Sequence, residues 1–196
     1  NKAIKSNCFD RVIVSTDDIE IAEVAKNYGA EVPFIRPKNL ADDFTNTSDV
    51  IKHSISWLEN SDYHFNNVCC IYPTAPLIFS SDILKAKDLI DKSKEGILVF
   101  TATSFSFPIQ RAIYLDSKGF AKMFNPELFE TRSQDLIDSY HDAGQFYWAP
   151  KSIWIKKKNL FENSKPIVIP RWRVQDIDNL EDWERAELIF DLISKK

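Results

Sequence analysis

Glycine is scarce in this chain, with four residues in 196. A loop that wraps phosphate groups through closely spaced glycines is therefore absent from it. Cysteine is scarcer still, at three. An odd number, with Cys69 and Cys70 adjacent in an apolar run, fits neither a disulfide framework nor a zinc site. It reads as reduced core thiols in a cytoplasmic protein. No apolar run is long enough to span a bilayer, and nothing at the start reads as a signal peptide, so no membrane role is expected. Positive charge is not in excess: 25 Lys and Arg against 29 Asp and Glu leave a net charge of -4, which argues against nucleic acid as a partner. What is abundant is core material. Hydrophobic residues make up 44% of the chain and aromatics 13%, enough for a single domain over residues 1–196.

Taken in order, apolar strands alternate with amphipathic helices. Val12-Ile13-Val14 suits a buried parallel strand, and Ser15 to Asp18 supply caps for a helix bearing Ile21, Val24, Ala25 and Tyr28 on one face. Gly29 is its expected stop. Val32 to Ile35 reads as the next strand, and residues 36–48 as a polar loop. Thr47 or Ser48 then caps a helix with Val50, Ile51, Ile55 and Leu58 inward. Val68 to Tyr72 is a strand closed by Pro73-Thr74-Ala75-Pro76. Ser80-Ser81-Asp82 caps another helix, and Ile97 to Phe100 is a strand. This alternation predicts a doubly wound α/β sheet. Ligands bind such sheets beyond the carboxyl ends of the strands, so the loops at 15–18, 36–48 and 72–77 are expected to share a cleft.

Beyond residue 104 the pattern changes. Residues 112–124 predict a β-hairpin turning at Asp116 to Gly119, and 125–145 form a polar stretch. Phe146 to Ala149, Ser152 to Ile155 and Pro166 to Pro170 read as strands. The last helix starts at Asn179, with Leu180, Trp183, Leu188, Ile189 and Leu192 on its apolar face. Just before it stand Asp176 and Asp178. Side chains two apart on an extended run leave the same face, so the two carboxylates repel unless a cation or protons lie between them. Mg²⁺, which takes a couple of carboxylates together with substrate phosphates, suits the pair. The alternative is local: Asp178 or Asn179 caps the helix and Asp176 is merely solvated.

Several of these stretches together resemble the cytidylyltransferases that activate nine-carbon sugar acids. They are Val12 to Asp17, Arg36-Pro37 with Leu40-Ala41 and Thr45 to Ser48, Tyr72 to Leu77, and Asp176-Ile177-Asp178. Phe107 to Arg111, Arg132 to Leu136 and Tyr140 to Trp148 are similar to the pseudaminic acid branch of that family. The resemblance implies a Rossmann-like nucleotidyltransferase sheet with a small β-hairpin insertion over 105–145 that serves dimerisation. It implies transfer of CMP from CTP to the anomeric hydroxyl of the sugar acid, with release of pyrophosphate. Asp176 and Asp178 would be catalytic and hold Mg²⁺. Arg36 would hydrogen-bond the cytosine carbonyl, and Thr45, Ser48, Tyr72 and Thr74 would line base and ribose. Gln110, Arg132, His141, Gly144 and Gln145 would face the sugar acid, with the planar fork of Arg132 suited to its carboxylate.

Members of the family begin with a strand and a Gly-rich loop, neither of which is expected here. An inactive binding or assembly module therefore stays open, as does an N-acetylneuraminate enzyme. So does a metal-dependent nucleotide-sugar glycosyltransferase, which also uses an Asp-x-Asp pair.

Overall fold

Helices begin in this chain where a polar side chain can accept an otherwise orphaned backbone N–H. The structure, a computed structural model, describes residues 1–94, 96–156 and 161–195. Its helices are α1 (Lys2–Lys5), α2 (Ile19–Asn27), α3 (Thr47–Asn60), α4 (Ser80–Lys92), α5 (Lys151–Lys156) and α6 (Leu180–Ser194). Asp18 caps α2, accepting from Glu20 N at 2.7 Å and Ile21 N at 3.0 Å, and Gly29 (φ +86°) follows its end as expected. The cap of α3 is Asn46, not Thr47 or Ser48, because the Asn46 carbonyl accepts from Asp49 N at 3.0 Å. Helix α4 follows Phe79 with no side-chain cap, so Ser80 and Asp82 do not take that role.

The strands are β1 (Asn67–Ile71), β2 (Leu98–Ser104), β3 (Ile113–Leu115), β4 (Ala121–Met123), β5 (Tyr140–Pro150) and β6 (Ser164–Val168). Four are ordered β1-β5-β2-β6 in one sheet, while β3 and β4 form a separate hairpin. The α/β class is as expected. Within this sheet β1 runs antiparallel to β5, from Asn67 opposite Pro150 to Ile71 opposite Phe146.

The chain divides into two compact units, one of Asn1–Phe100 with Gln145–Ile167, the other of Thr101–Gly144 with Val168–Lys196. In the first, Ile51, Ile55 and Leu58 of α3 are buried, as are Ile83, Ala86 and Ile90 of α4 and Phe146 to Ala149 of β5. Phe9 packs on Trp148 at 4.8 Å, and Phe100 stacks on Tyr147 at 6.4 Å. Two expected strands shrink to a single parallel bridge, Ile13 with Glu31. Its bonds are Val14 N to Glu31 O at 2.9 Å and Glu31 N to Val12 O at 2.8 Å. Pro33 explains the stop, since it has no N–H to continue the ladder. Ser152 to Ile155 is helical, not extended. In α5 the Trp154 ring is buried and its indole N–H reaches Val68 O at 3.1 Å, a partner that this polar end of a buried aromatic requires.

In the second unit, Ile169 N donates to Ala102 O at 2.8 Å and the buried Thr103 hydroxyl donates to Ile169 O at 2.8 Å. The expected hairpin forms with Ile113 opposite Met123. Asp116 Oδ1 closes its turn by accepting from Lys118 N at 2.9 Å and Phe120 N at 3.0 Å. Helical spacing alone did not decide burial. Ala22 is the buried residue of α2, whose Ile21 is 53% exposed and whose C-capping Tyr28 is 64% exposed, and Ala186 is that of α6, whose Leu180 is 82% exposed.

Candidate active site

In the first unit, hydrogen bonds tie together the three loops that the sequence points to. Asp18 is occupied by the α2 cap, which leaves Asp17 to pair with Arg36, Nη2 to Oδ1 at 3.1 Å. Arg36 N also donates to Thr16 O at 2.8 Å. A hydrogen bond from its own backbone N–H, followed by that from Arg36, holds the Asp17 carboxyl below its ordinary range. The Arg36 Nε is buried and has no hydrogen-bond partner among the described residues. A buried, unsatisfied guanidinium N–H is costly, and it fits a ligand acceptor.

Thr45 is held by Asp42, whose Oδ1 accepts from Thr45 N at 2.7 Å and from its hydroxyl at 2.8 Å. The Thr45 hydroxyl bond, then the backbone bonds of Phe44 and Thr45, lower the Asp42 carboxyl. Ser48 lies in the first turn of α3, where Asn46 frees it from capping. Tyr72 joins this loop through its hydroxyl, 3.1 Å from Thr47 Oγ1. Its N–H donates to Gln145 O at 3.0 Å and its ring lies 5.4 Å from that of Tyr147. Thr74 is exposed in the turn that follows, and the Gln145 side chain is buried on β5. Thr47 and Asp17 were not singled out as site residues. Asp17 and Arg36 carry opposite charges on loops expected to converge, and that was the available signal.

In the second unit a cavity of about 690 Å³ is walled by Phe105, Phe107, Pro108, Ile109 and Ala112, with Ser106, Arg111, Ser133 and His141 as its polar lining. The His141 ring lies 4.9 Å from Phe105 and its Nδ1 is 2.8 Å from Asp142 O. Since a carbonyl only accepts, Nδ1 carries the proton there and Nε2 is the free ring nitrogen of the neutral form. Gln110 Nε2 donates to Ile137 O at 2.7 Å and Ser139 Oγ at 3.0 Å, while its Oε1 is buried without a partner among the described residues. Gly144 has φ +61° inside β5, a left-handed conformation that side chains with a Cβ resist. Asp142 Oδ1 accepts its N–H at 2.9 Å. Arg132 is exposed, and its fork is engaged by Asp135, Nε to Oδ2 at 2.7 Å and Nη2 to Oδ1 at 3.2 Å.

Also in this unit, Asn179 caps α6 by accepting from Asp182 N at 3.1 Å. The capping alternative thus falls to Asn179 and not to Asp178. Asp176 and Asp178 are both exposed. Among the described residues no group of three or more His, Cys, Asp or Glu side chains could hold a metal ion. Two accessible carboxylates without further protein ligands do fit Mg²⁺, which retains water and takes phosphate oxygens, and do not fit a closed protein cage.

The cytidylyltransferase profile matches residues 1–165. The chain is 42% identical to the pseudaminic acid cytidylyltransferase of Campylobacter jejuni subsp. jejuni serotype O:2, an alignment covering 96% of this chain and 81% of that protein. It is 32% identical to the CMP-N,N'-diacetyllegionaminic acid synthase of Legionella pneumophila, over 97% and 82% of the two. In three dimensions it is similar to a CMP:2-keto-3-deoxy-manno-octonic acid synthetase solved with CTP. The TM-score is 0.62 over 99% of this chain and 85% of that one, and at 11% identity the likeness concerns the fold. By the extent of the profile match and the identity to these relatives, this chain belongs to the cytidylyltransferase family, a family of nucleotidyltransferase enzymes.

Proposed function

We propose that this cytidylyltransferase transfers CMP from CTP to the anomeric hydroxyl of pseudaminic acid and releases pyrophosphate. The observation that carries this reading is the 42% identity to the Campylobacter jejuni enzyme across nearly the whole chain. Arg36 donates to the cytosine carbonyl from the guanidinium that Asp17 steadies, and its orphaned Nε supports that role. Thr45, Ser48, Tyr72 and Thr74 line base and ribose. Gln110, His141, Gly144 and Gln145 serve the sugar acid, with Arg132 beside Ser133 of the cavity wall. Asp176 and Asp178 hold Mg²⁺, which supplies neutralisation of phosphate charge when bound. The residues themselves contribute alignment of the attacking oxygen and exclusion of wrong substrates.

The enzyme acts as a homodimer in the cytoplasm. Exposed Ile113, Leu115, Phe120, Phe124 and Phe129 on segment 105–145 support a two-fold interface there, the commonest closed symmetry. None of the described helices is long and apolar enough to cross a membrane, and the three cysteines are free thiols. Competition between pseudaminic acid and N-acetylneuraminate for one CTP pool, with CMP-sugars resolved by mass, tests the substrate. Equal or reversed consumption would overturn it. Sedimentation equilibrium at micromolar concentration tests the dimer, and a monomer would refute it.

A further inference from the structure

The larger cavity of the second unit contains one Lys or Arg side chain among the described residues that line it, and that residue is Arg111. Arg132, further along the chain, has a fork geometry that suits a carboxylate, but Asp135 already takes its Nε–Nη2 edge with a charge of the same sign as the ligand's. Arg111 is differently placed. Its Nη2 donates to the backbone carbonyl of Thr131, an anchor that adds no negative charge, and no carboxylate pairs with it among the described residues. Nε and Nη1 remain available for a second acceptor. A guanidinium with a neutral anchor and free N–H groups is prepared for a planar anion.

The surroundings give that anion an orientation. The smaller adjoining cavity, about 350 Å³, is lined by Asp138, which repels a negative group and turns it toward the Arg111 side. The same cavity has an apolar wall that includes Phe105 and Phe107. His141 presents Nε2, an acceptor in its neutral form. A sugar acid with a carboxylate, amide N–H groups and methyl-ended substituents matches this set one for one. On these grounds we propose that Arg111, and not Arg132, is the residue that binds the carboxylate of the sugar acid. This rests on the substrate reading above and assigns it a contact that the family resemblance gave to Arg132.

The test uses the full chain, pseudaminic acid and its methyl ester, and three variants: R111Q, R111K and R132Q. Losing a charge-assisted hydrogen bond raises KM for the acid by about tenfold or more in R111Q. KM for CTP is expected to be unchanged, and the ester, lacking the negative charge, is expected to serve R111Q as well as it serves the wild type. R111K retains charge without the fork and falls between the two, while R132Q, whatever it does to turnover, keeps the wild-type preference for acid over ester. Thermal melting separates misfolding from loss of contact. The preference of the wild type for acid over ester tests the anion site without any substitution. The assignment is overturned if R111Q leaves KM for the acid unchanged, if it impairs the ester equally, or if R132Q shows the carboxylate-dependent loss. Failure of the wild type to form any CMP-sugar would instead refute the substrate reading, and the assignment with it.

Discussion

Replacing Arg36 by Gln removes a guanidinium that Asp17 holds, Nη2 to Oδ1 at 3.1 Å, while the residue's backbone N–H donates to Thr16 O at 2.8 Å. The backbone bond survives the substitution, so the loop keeps its course, and only the side-chain fork is lost. The remaining effect falls on the ligand. Nε is a buried donor without a partner among the described residues, and on the proposed role it is matched to the single carbonyl of cytosine. Removing the donor leaves that carbonyl unmatched, at a cost of about 1–3 kcal/mol, or about 5- to 150-fold in KM for CTP. kcat should change far less, because the base does not alter during phosphoryl transfer and its contacts are equal in ground and transition states. Uracil carries the same carbonyl at this position, so the ratio of CTP to UTP use is expected to stay constant while both weaken. R36K keeps the charge but not the planar fork and recovers little. Steady-state pyrophosphate release with each nucleotide measures all of this. An unchanged KM for CTP, or a loss confined to CTP, would refute the role.

Three further outcomes follow from particular residues. Asp178→Asn is expected to abolish pyrophosphate release at limiting Mg²⁺ with circular dichroism unchanged, since Asn179 and not Asp178 caps α6; normal turnover would refute metal binding. Ile55→Ala removes a side chain that is 2% exposed at the centre of α3, and urea denaturation should show a loss of about 2–5 kcal/mol. Burial pushes the Cys70 thiol from 9.0 up to about 12, so above pH 9 the unfolded chain loses a proton that the folded one keeps. Folding stability therefore falls by about 1.4 kcal/mol per pH unit from this thiol between pH 9 and 12, measured against Cys70→Ala. Parallel pH profiles for the two proteins would refute it.

Local signals in the chain carried a large part of this description. Asp18 capping α2, Gly29 ending it, the Asp116 turn of the hairpin and the 3.6-residue spacing of Ile51, Ile55 and Leu58 each depend on neighbours within a few positions. Such features are written in sequence because the interacting groups are close along it. The motifs around Arg36, Tyr72 and Asp176 were legible for a related reason, since their order along the chain marks the family. Burial along α2 and α6, and the choice of partners, were not legible. Pro33 stopping a ladder, Trp154 turning helical to bring its N–H to Val68, and the apolar faces of α2 and α6 standing exposed all depend on what lies across space. The same holds for the two arginines. Sequence singles out Arg132 and leaves Arg111 as the end of the Phe107 to Arg111 stretch, and only the folded chain sets Asp135 against one and an open cavity against the other. An ion pair over three residues and a carbonyl twenty residues away compete for the same kind of donor, and the backbone path between them decides which side chain remains free to bind.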